Sequence, residues 1–358
     1  MKILFLALFF FTVVPGPEAK SHGSFYTFPE PSLKHLQELT DDTGIFEFAA
    51  YDVPDKKHAY CTEDNARALV AVLMFNSRYP GNQVAERLAR VYLSYLLYAQ
   101  LEDGNFSHRL DFQRRSKGVA TEDSYGRTLW ALGYAFAYPI NDKMKKLAGR
   151  MFLEALPRSK NLIWPRAKAY SILGLHYYLN VCQSKQVKAR LRYLADSLVT
   201  LYKKNSSEEW QWFENNLTYD NAKMPWALFL AYETTGDKDY LNVAKKTLDF
   251  LLGVNFRDGN RMKIIGNRGW YSKGEKAALY DEQPIDAAAM VEACAAAYKL
   301  TGLKRYREKM KQAFSWFLGN NVAGVAVYDF ENGGSRDGIR ENGLNENEGA
   351  ESSIEVLI

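Results

Sequence analysis

Carboxylates are the residues of this chain whose repetition could do chemistry. Glu63-Asp64 and Glu122-Asp123 sit in near-identical settings, Thr-Glu-Asp followed by an arginine one helical turn on, at Arg67 and Arg127. Asp220-Asn221, Glu282, Asp286, Glu348 and Glu351 stand at or just before the starts of later runs of small and aromatic residues. Threonine followed by acids is also what a helix N-terminus uses: side-chain oxygens accept free backbone N–H groups, and the helix dipole favours negative charge by about 0.3–1 kcal/mol. Capping explains one such motif, with Thr62 and Thr121 as the caps. It requires neither the doubled acid nor the arginine in both. Many carboxylates in one cleft raise the pKa of at least one member, which a general acid working near neutral pH needs.

That pattern points to glycosidic bond cleavage by paired carboxylates, with Glu63, Asp64, Glu122, Asp123 and Asp286 as the catalytic candidates. Acids carried by different helices are more easily held about 6.5–9.5 Å apart, as in inverting enzymes, than the roughly 5–5.5 Å of retaining ones. Arg67, Arg127, Asp220, Asn221, Glu282, Glu348 and Glu351 are expected to bind the substrate beside them. Phe106, Trp210, Trp212, Phe213, Trp270 and Tyr271 fall in polar loop sequence, near Asn215, Asn216, Asn267 and Arg268. Flat apolar faces beside hydrogen-bonding groups match carbohydrate, so Trp212, Trp270 and Arg268 join the binding set.

Other chemistries find less support. Five histidines show no metal-ligand spacing, and Cys61, Cys182 and Cys294 make neither a disulfide framework nor a zinc site. Nucleophile-elbow, phosphate-loop and dinucleotide fingerprints are missing, so neither metal nor cofactor is expected. With 46 basic against 42 acidic residues interleaved along the chain, no basic stripe suggests nucleic acid.

These acids need elements to position them. Six runs, Thr62–Phe75, Thr121–Tyr138, Ile163–Leu179, Tyr219–Gly236, Asp281–Gly302 and Asn347–Ile358, are apolar most of the way round, as helices packed on both sides must be. The last is short, about two turns. Between them lie one-faced, Lys/Arg-rich stretches: Gln83–Gln100, Asn141–Leu156, Lys185–Lys204, Asp237–Gly253 and Lys304–Gly319, with Pro29–Gly44 available to partner the last. Glu63 and Glu122 are 59 residues apart, Asp220 and Asp286 are 66, and Asp286 and Glu351 are 65, the period of a helix pair plus a loop. The expectation is all-α: an (α/α)6 toroid of six inner and six outer helices over residues 29–358, with an open solenoid as the alternative. Long loops leading into the inner helices would share one face, and function concentrates in such loops.

TEDNARAL, EDSYGRTLWALGYA, WFENNLTYDNAKMPWAL and NEGAES resemble six-hairpin (α/α)6 proteins that act on glycans, a fold shared by glycoside hydrolases, polysaccharide lyases and sugar 2-epimerases. More narrowly they look like a bacterial family found alone or fused behind glycosyltransferase domains. The resemblance implies a monomeric carbohydrate-active protein. It also admits a non-catalytic glycan-binding toroid, or a lyase or epimerase with Tyr125, Tyr219 or His108 as base. The twelve-residue apolar run Ile3–Val14 has the proportions of a secretory h-region and is too short to span a bilayer. Residues 1–20 are therefore read as a signal peptide, the mature chain as free of membrane spans, and its place as periplasmic or secreted.

Overall fold

The computed structural model describes residues 28–257 and 259–358; the proposed signal segment lies outside them. The inner helices are α2 (Thr62–Arg78), α4 (Glu122–Ala137), α6 (Pro165–Val181), α8 (Lys223–Thr235), α10 (Pro284–Thr301) and α12 (Ala350–Glu355). The outer helices are α1 (Lys34–Glu38), α3 (Gln83–Ala99), α5 (Asp142–Ala155), α7 (Lys185–Asn205), α9 (Lys238–Asn255) and α11 (Lys304–Phe314). Each inner helix packs on the next, and α12 packs on both α10 and α2, so the ring closes within Pro31–Ile358. An open solenoid is thereby excluded. The fold is the (α/α)6 toroid.

Burial explains the two helix types. On α7 only Val187, Leu191, Leu194, Ala195, Leu198, Val199 and Tyr202 are buried, a stripe at 3.6-residue spacing, and Ser184 caps its N-terminus. On α10 most positions from Pro284 to Ala297 are buried, because neighbours lie on both sides. Close approach is greatest between α4 and α6. A Cβ on Gly133 would lie 2.2 Å from the Gly174 carbonyl oxygen, and one on Gly174 would lie 2.3 Å from that of Leu129. Only glycine permits that contact.

Two local expectations are corrected. The segment Pro29–Gly44 holds a helix of only five residues, which packs on α12 as the partner of the last inner helix. Asp41 ends it by accepting the N–H groups of Thr43 and Gly44, while the Thr40 hydroxyl turns back to the Leu36 carbonyl. Thr121 caps α4 by accepting from Ser124 N, but Thr62 does not cap α2. Its hydroxyl donates to the Ser107 carbonyl at 2.6 Å and so ties α2 to an adjoining hairpin.

That hairpin belongs to small antiparallel ribbons that the helical pattern did not foretell. β1 (Ala49–Ala50) pairs with β2 (Val53–Pro54), and β3 (Tyr60–Cys61), β4 (Ser107–Leu110) and β5 (Ser116–Val119) form one sheet. β6 (Asn216–Leu217) pairs with β7 (Tyr271–Ser272), and β8 (Gly338–Arg340) with β9 (Gly343–Asn345). All lie in the connections leading into inner helices. They fix the long loops on the face where those helices begin. Among the described residues no helix is long and apolar enough to cross a membrane.

Candidate functional site

The inner-helix starts bring one charged network together around the ring. On α2, the buried Arg67 reaches Asp64 at 2.6 Å from one nitrogen, and both Glu351 and Glu355 of α12 at 2.9 Å from the other. The second Thr-Glu-Asp repeat is used differently. Arg127 of α4 crosses back to Glu63 of α2 at 2.5 Å and reaches forward to the Tyr170 hydroxyl at 2.9 Å and Asp220 at 3.5 Å. Tyr170 in turn donates to Asp220, and Tyr219 donates to Asp123. The inner helix without an opening acid, α6, supplies a cation instead. Arg166 donates to the Tyr219 carbonyl at 2.5 Å, Glu214 at 2.9 Å and the Asn221 side-chain oxygen at 2.8 Å.

Deeper in the ring, Lys223 of α8 donates to Glu292 of α10, with its ammonium over the rings of Trp130 and Trp226 at 4.7 and 5.0 Å. Asp286 lines a small cavity of about 10 Å³ with Asn221, just before α8, Asn255 of the outer helix α9 and Met290. One of its oxygens, like one of Asp220, Glu292 and Glu355, is buried with no partner among the described groups. Asp220 holds a left-handed backbone at φ +50, as does Trp270 at +59, whose ring lies 6.2 Å from that of Tyr219. A bulky residue in that region is costly and marks a constrained part of the mouth.

This arrangement sorts the acids by protonation. Burial pushes the Glu63 carboxyl up, but Arg127 and Arg67 outweigh it and hold the group below its ordinary value. Beside it, burial drives Asp64 to about 8 despite Arg67, with the charges of Glu63, Glu351 and Glu47 adding to the rise. Burial likewise raises Glu292 to about 8 against the opposing Lys223, and lifts Asp286 well above the usual carboxylate range, with Asp220 adding repulsion. Glu355 rises for the same first reason, with Lys223 and Arg67 opposing. At the start of α2 an ionised and a protonated carboxyl, Glu63 and Asp64, therefore adjoin, the environment in which acid and base roles separate.

Several expected site residues lie elsewhere. Glu122 points along the ring and accepts the backbone N–H groups of Ile163 and Trp164 at 2.7 and 2.9 Å, so it anchors the start of α6. Glu282 is buried and accepts from Ile264 N at 3.1 Å and the Trp316 indole at 2.7 Å. Glu348 is held by Asn332 at 2.8 Å and faces His35 of α1. Trp212 is fully buried against Phe213 and Phe250, and Phe106, Trp210 and Phe213 are buried too. Those loop rings are packing plugs, because the loops fold over the outer helices and bury their apolar faces. Arg268 is exposed and pairs with Asp281 at 3.4 Å. Tyr125 donates to the Ala155 carbonyl, away from the mouth.

Conversely, Glu47, Arg166, Tyr170, Lys223, Glu292 and Glu355 join the network without any motif to mark them. An arginine or lysine in a helix that is apolar all round was the available signal for Arg166 and Lys223. Glu47, Cys61 and Asp64 place one donor atom each within 4.8 Å of one another.

The sequence matches no protein-family model and no curated protein. Its fold does match solved structures. A sugar epimerase from a ruminal bacterium aligns over 90% of this chain and 97% of its own with a TM-score of 0.68 at 14% identity. Cellobiose 2-epimerase from Bacillus thermoamylovorans B4167 covers 91% and 96% with a TM-score of 0.70 at 12% identity. An inactive variant of an α-1,6-mannanase of Salegentibacter sp. HEL1_6, in complex with α-1,6-mannotriose, covers 90% and 94% with a TM-score of 0.57 at 11% identity. The chain thus has the six-hairpin (α/α)6 toroid fold of these glycan-active proteins.

Proposed function

We propose that this chain is an exported, monomeric glycoside hydrolase that cleaves an oligo- or polysaccharide at the ring mouth by an inverting route. Glu63 is the general base: it is partly exposed and held ionised, so it can take a proton from an attacking water. The acid comes from the protonated carboxyls beside it. Asp123, fixed by the Tyr219 hydroxyl, and Trp270 bound the sugar from the other side of Arg127. The single observation carrying this reading is the juxtaposition at the start of α2, where Glu63 is stabilised as a carboxylate and its neighbour Asp64 as an acid. General acid–base catalysis contributes roughly 10²–10⁴-fold, and it requires both forms at one pH.

Epimerisation is the second reading, and one observation favours it. His108 on β4 is close enough for its charge to act on Glu63, and its Nδ1 is buried without a partner among the described groups. A glycan panel followed by NMR separates the two. Hydrolysis shortens the glycan and releases the inverted anomer first, and Glu63→Gln lowers the rate by about 10² or more. An epimerase leaves chain length unchanged, and that outcome removes the hydrolase reading.

A further inference from the structure

We propose that Glu47, in the loop between α1 and α2, is the proton donor of this mouth, and that Asp64 positions and tunes it; this rests on the hydrolase reading above. Glu47 is held at both backbone ends. Its N–H donates to the Ala59 carbonyl at 2.9 Å, and its carbonyl accepts from Ala350 N, the first residue of α12, at 3.1 Å. The side chain thus hangs where the ring closes, between the starts of α2 and α12.

One carboxylate oxygen of Glu47 takes the Arg109 guanidinium at 2.6 Å; the other is buried with no partner among the described groups. An oxygen of Glu47, an oxygen of Asp64 and the Cys61 sulfur lie within 4.8 Å of one another. Two carboxyls so close in a buried site do not both ionise, so the pair keeps a proton. The groups facing Glu47 are Arg109 from β4, His58 from the β2–β3 link, Asp64 and Glu63 from α2, Cys61 from β3 and Glu351 from α12. Burial raises the Glu47 carboxyl first; Arg109 opposes, and Glu63 and Glu351 add to the rise. The Cys61 thiol is held neutral by burial and the same acids, so it adds no charge.

Access chooses between the two carboxyls. The Asp64 side chain is 5% exposed and bound by Arg67, whereas that of Glu47 is 12% exposed. Glu47 is therefore the one of the two whose covered oxygen a side-chain rotation can turn to a glycosidic oxygen, and Asp64 acts through it. In the proposed step Glu63 removes a proton from water as the water oxygen bonds to the anomeric carbon. The anomeric C–O bond breaks, its electron pair goes to the leaving oxygen, and that oxygen takes the Glu47 proton. The products are two shorter glycans, with Glu63 protonated and Glu47 ionised; proton exchange with solvent resets both.

Leaving-group dependence tests this on the full chain. The substrates are methyl and 2,4-dinitrophenyl glycosides of mannose and glucose. A dinitrophenolate departs without protonation, so loss of the donor spares it. Glu47→Gln should slow methyl glycoside hydrolysis by about 10² or more and the aryl glycosides by less than about tenfold. Asp64→Asn should shift the alkaline limb of the kcat profile while leaving an active enzyme. NMR of ¹³C-carboxyl glutamate should show several carboxyls titrating above the ordinary range in the wild type, Glu282 and Glu292 among them, and one of these raised signals absent in Glu47→Gln. Equal losses on both substrate classes, or persistence of that signal in Glu47→Gln, overturns the donor assignment while the hydrolase reading stands. If the wild type cleaves neither these glycosides nor any member of the glycan panel, the hydrolase reading fails and the donor assignment falls with it. Should Glu47→Gln not fold, Glu47→Asp keeps an acid on a shorter arm, and an unchanged methyl-to-aryl rate ratio there overturns the assignment equally.

Discussion

The buried pair of Lys223 and Glu292 shows how charge inside this ring differs from charge at its mouth. Both side chains are almost fully buried, and the ammonium packs over two tryptophan rings. Neither residue reaches a substrate, so their removal speaks to stability. Deleting one partner of a buried pair strands the other and costs about 3–5 kcal/mol, whereas replacing both with apolar groups is often nearly neutral. Lys223→Met should therefore lower the urea-unfolding free energy by that amount at pH 8, and the double variant Lys223→Met/Glu292→Met should recover most of it. From pH 5 to pH 8 the single variant's deficit should change little, because Glu292, raised to about 8 beside its lysine and higher without it, keeps its proton throughout. A double variant as unstable as the sum of the two singles would mean that the two charges are not coupled.

Among the elements, α4 and α6 are the most intimately packed, and the glycines at their contact set the separation. An added methyl at Gly174 meets the Leu129 backbone rather than a flexible side chain, so the helices must part to receive it. Overpacking of this kind costs about 1–3 kcal/mol. Because α4 and α6 carry Arg127, Arg166 and Tyr170, separation should also weaken the mouth network. Gly253, in the interior of α9, provides the contrast: a Cβ there meets nothing within 4 Å. Gly253→Ala should raise stability by about 0.5–1 kcal/mol through reduced backbone entropy in the unfolded chain. Thermal unfolding of the two variants side by side checks both, and the expected signs are opposite.

For the whole molecule, the balance of raised and lowered carboxyls sets how stability varies with pH. Asp64 and Glu292 are raised to about 8, Glu282 to about 7 and Asp337 to about 6, each chiefly by burial. Such groups stay protonated in the fold at pH values where the unfolded chain has lost the proton. Their contribution is complete below the ordinary carboxylate range and declines as pH rises through the folded values, by about 1.4 kcal/mol per pH unit for each group while it lasts. Glu63 and Asp111 are lowered and act oppositely, losing their contribution only as pH falls through the ordinary range and below. The melting temperature should therefore rise from pH 8 to pH 5 at fixed ionic strength. Calorimetry giving an equal or lower value at pH 5 would show that the buried acids are ionised in the fold.

Helix type, order and approximate ends follow from local pattern, because apolar periodicity and turn chemistry act over a few residues: the alternation of two-faced and one-faced helices foretold the toroid, and Thr121 its cap. The doubled acids likewise marked which helix starts face one another. What each acid does was decided only by tertiary structure. Glu122 and Asp123 are chain neighbours, yet a step of about 100° around a helix sends one to the backbone of α6 and the other to Tyr219. Trp212 reads as a loop aromatic but is buried by Phe250 of an outer helix, and Glu47 carries no motif. Protonation, burial and partner choice depend on charges brought near by ring closure, from residues hundreds of positions apart such as Arg67 and Glu355. Electrostatic energy falls with distance in space, not along the chain, so only the closed ring could assign them.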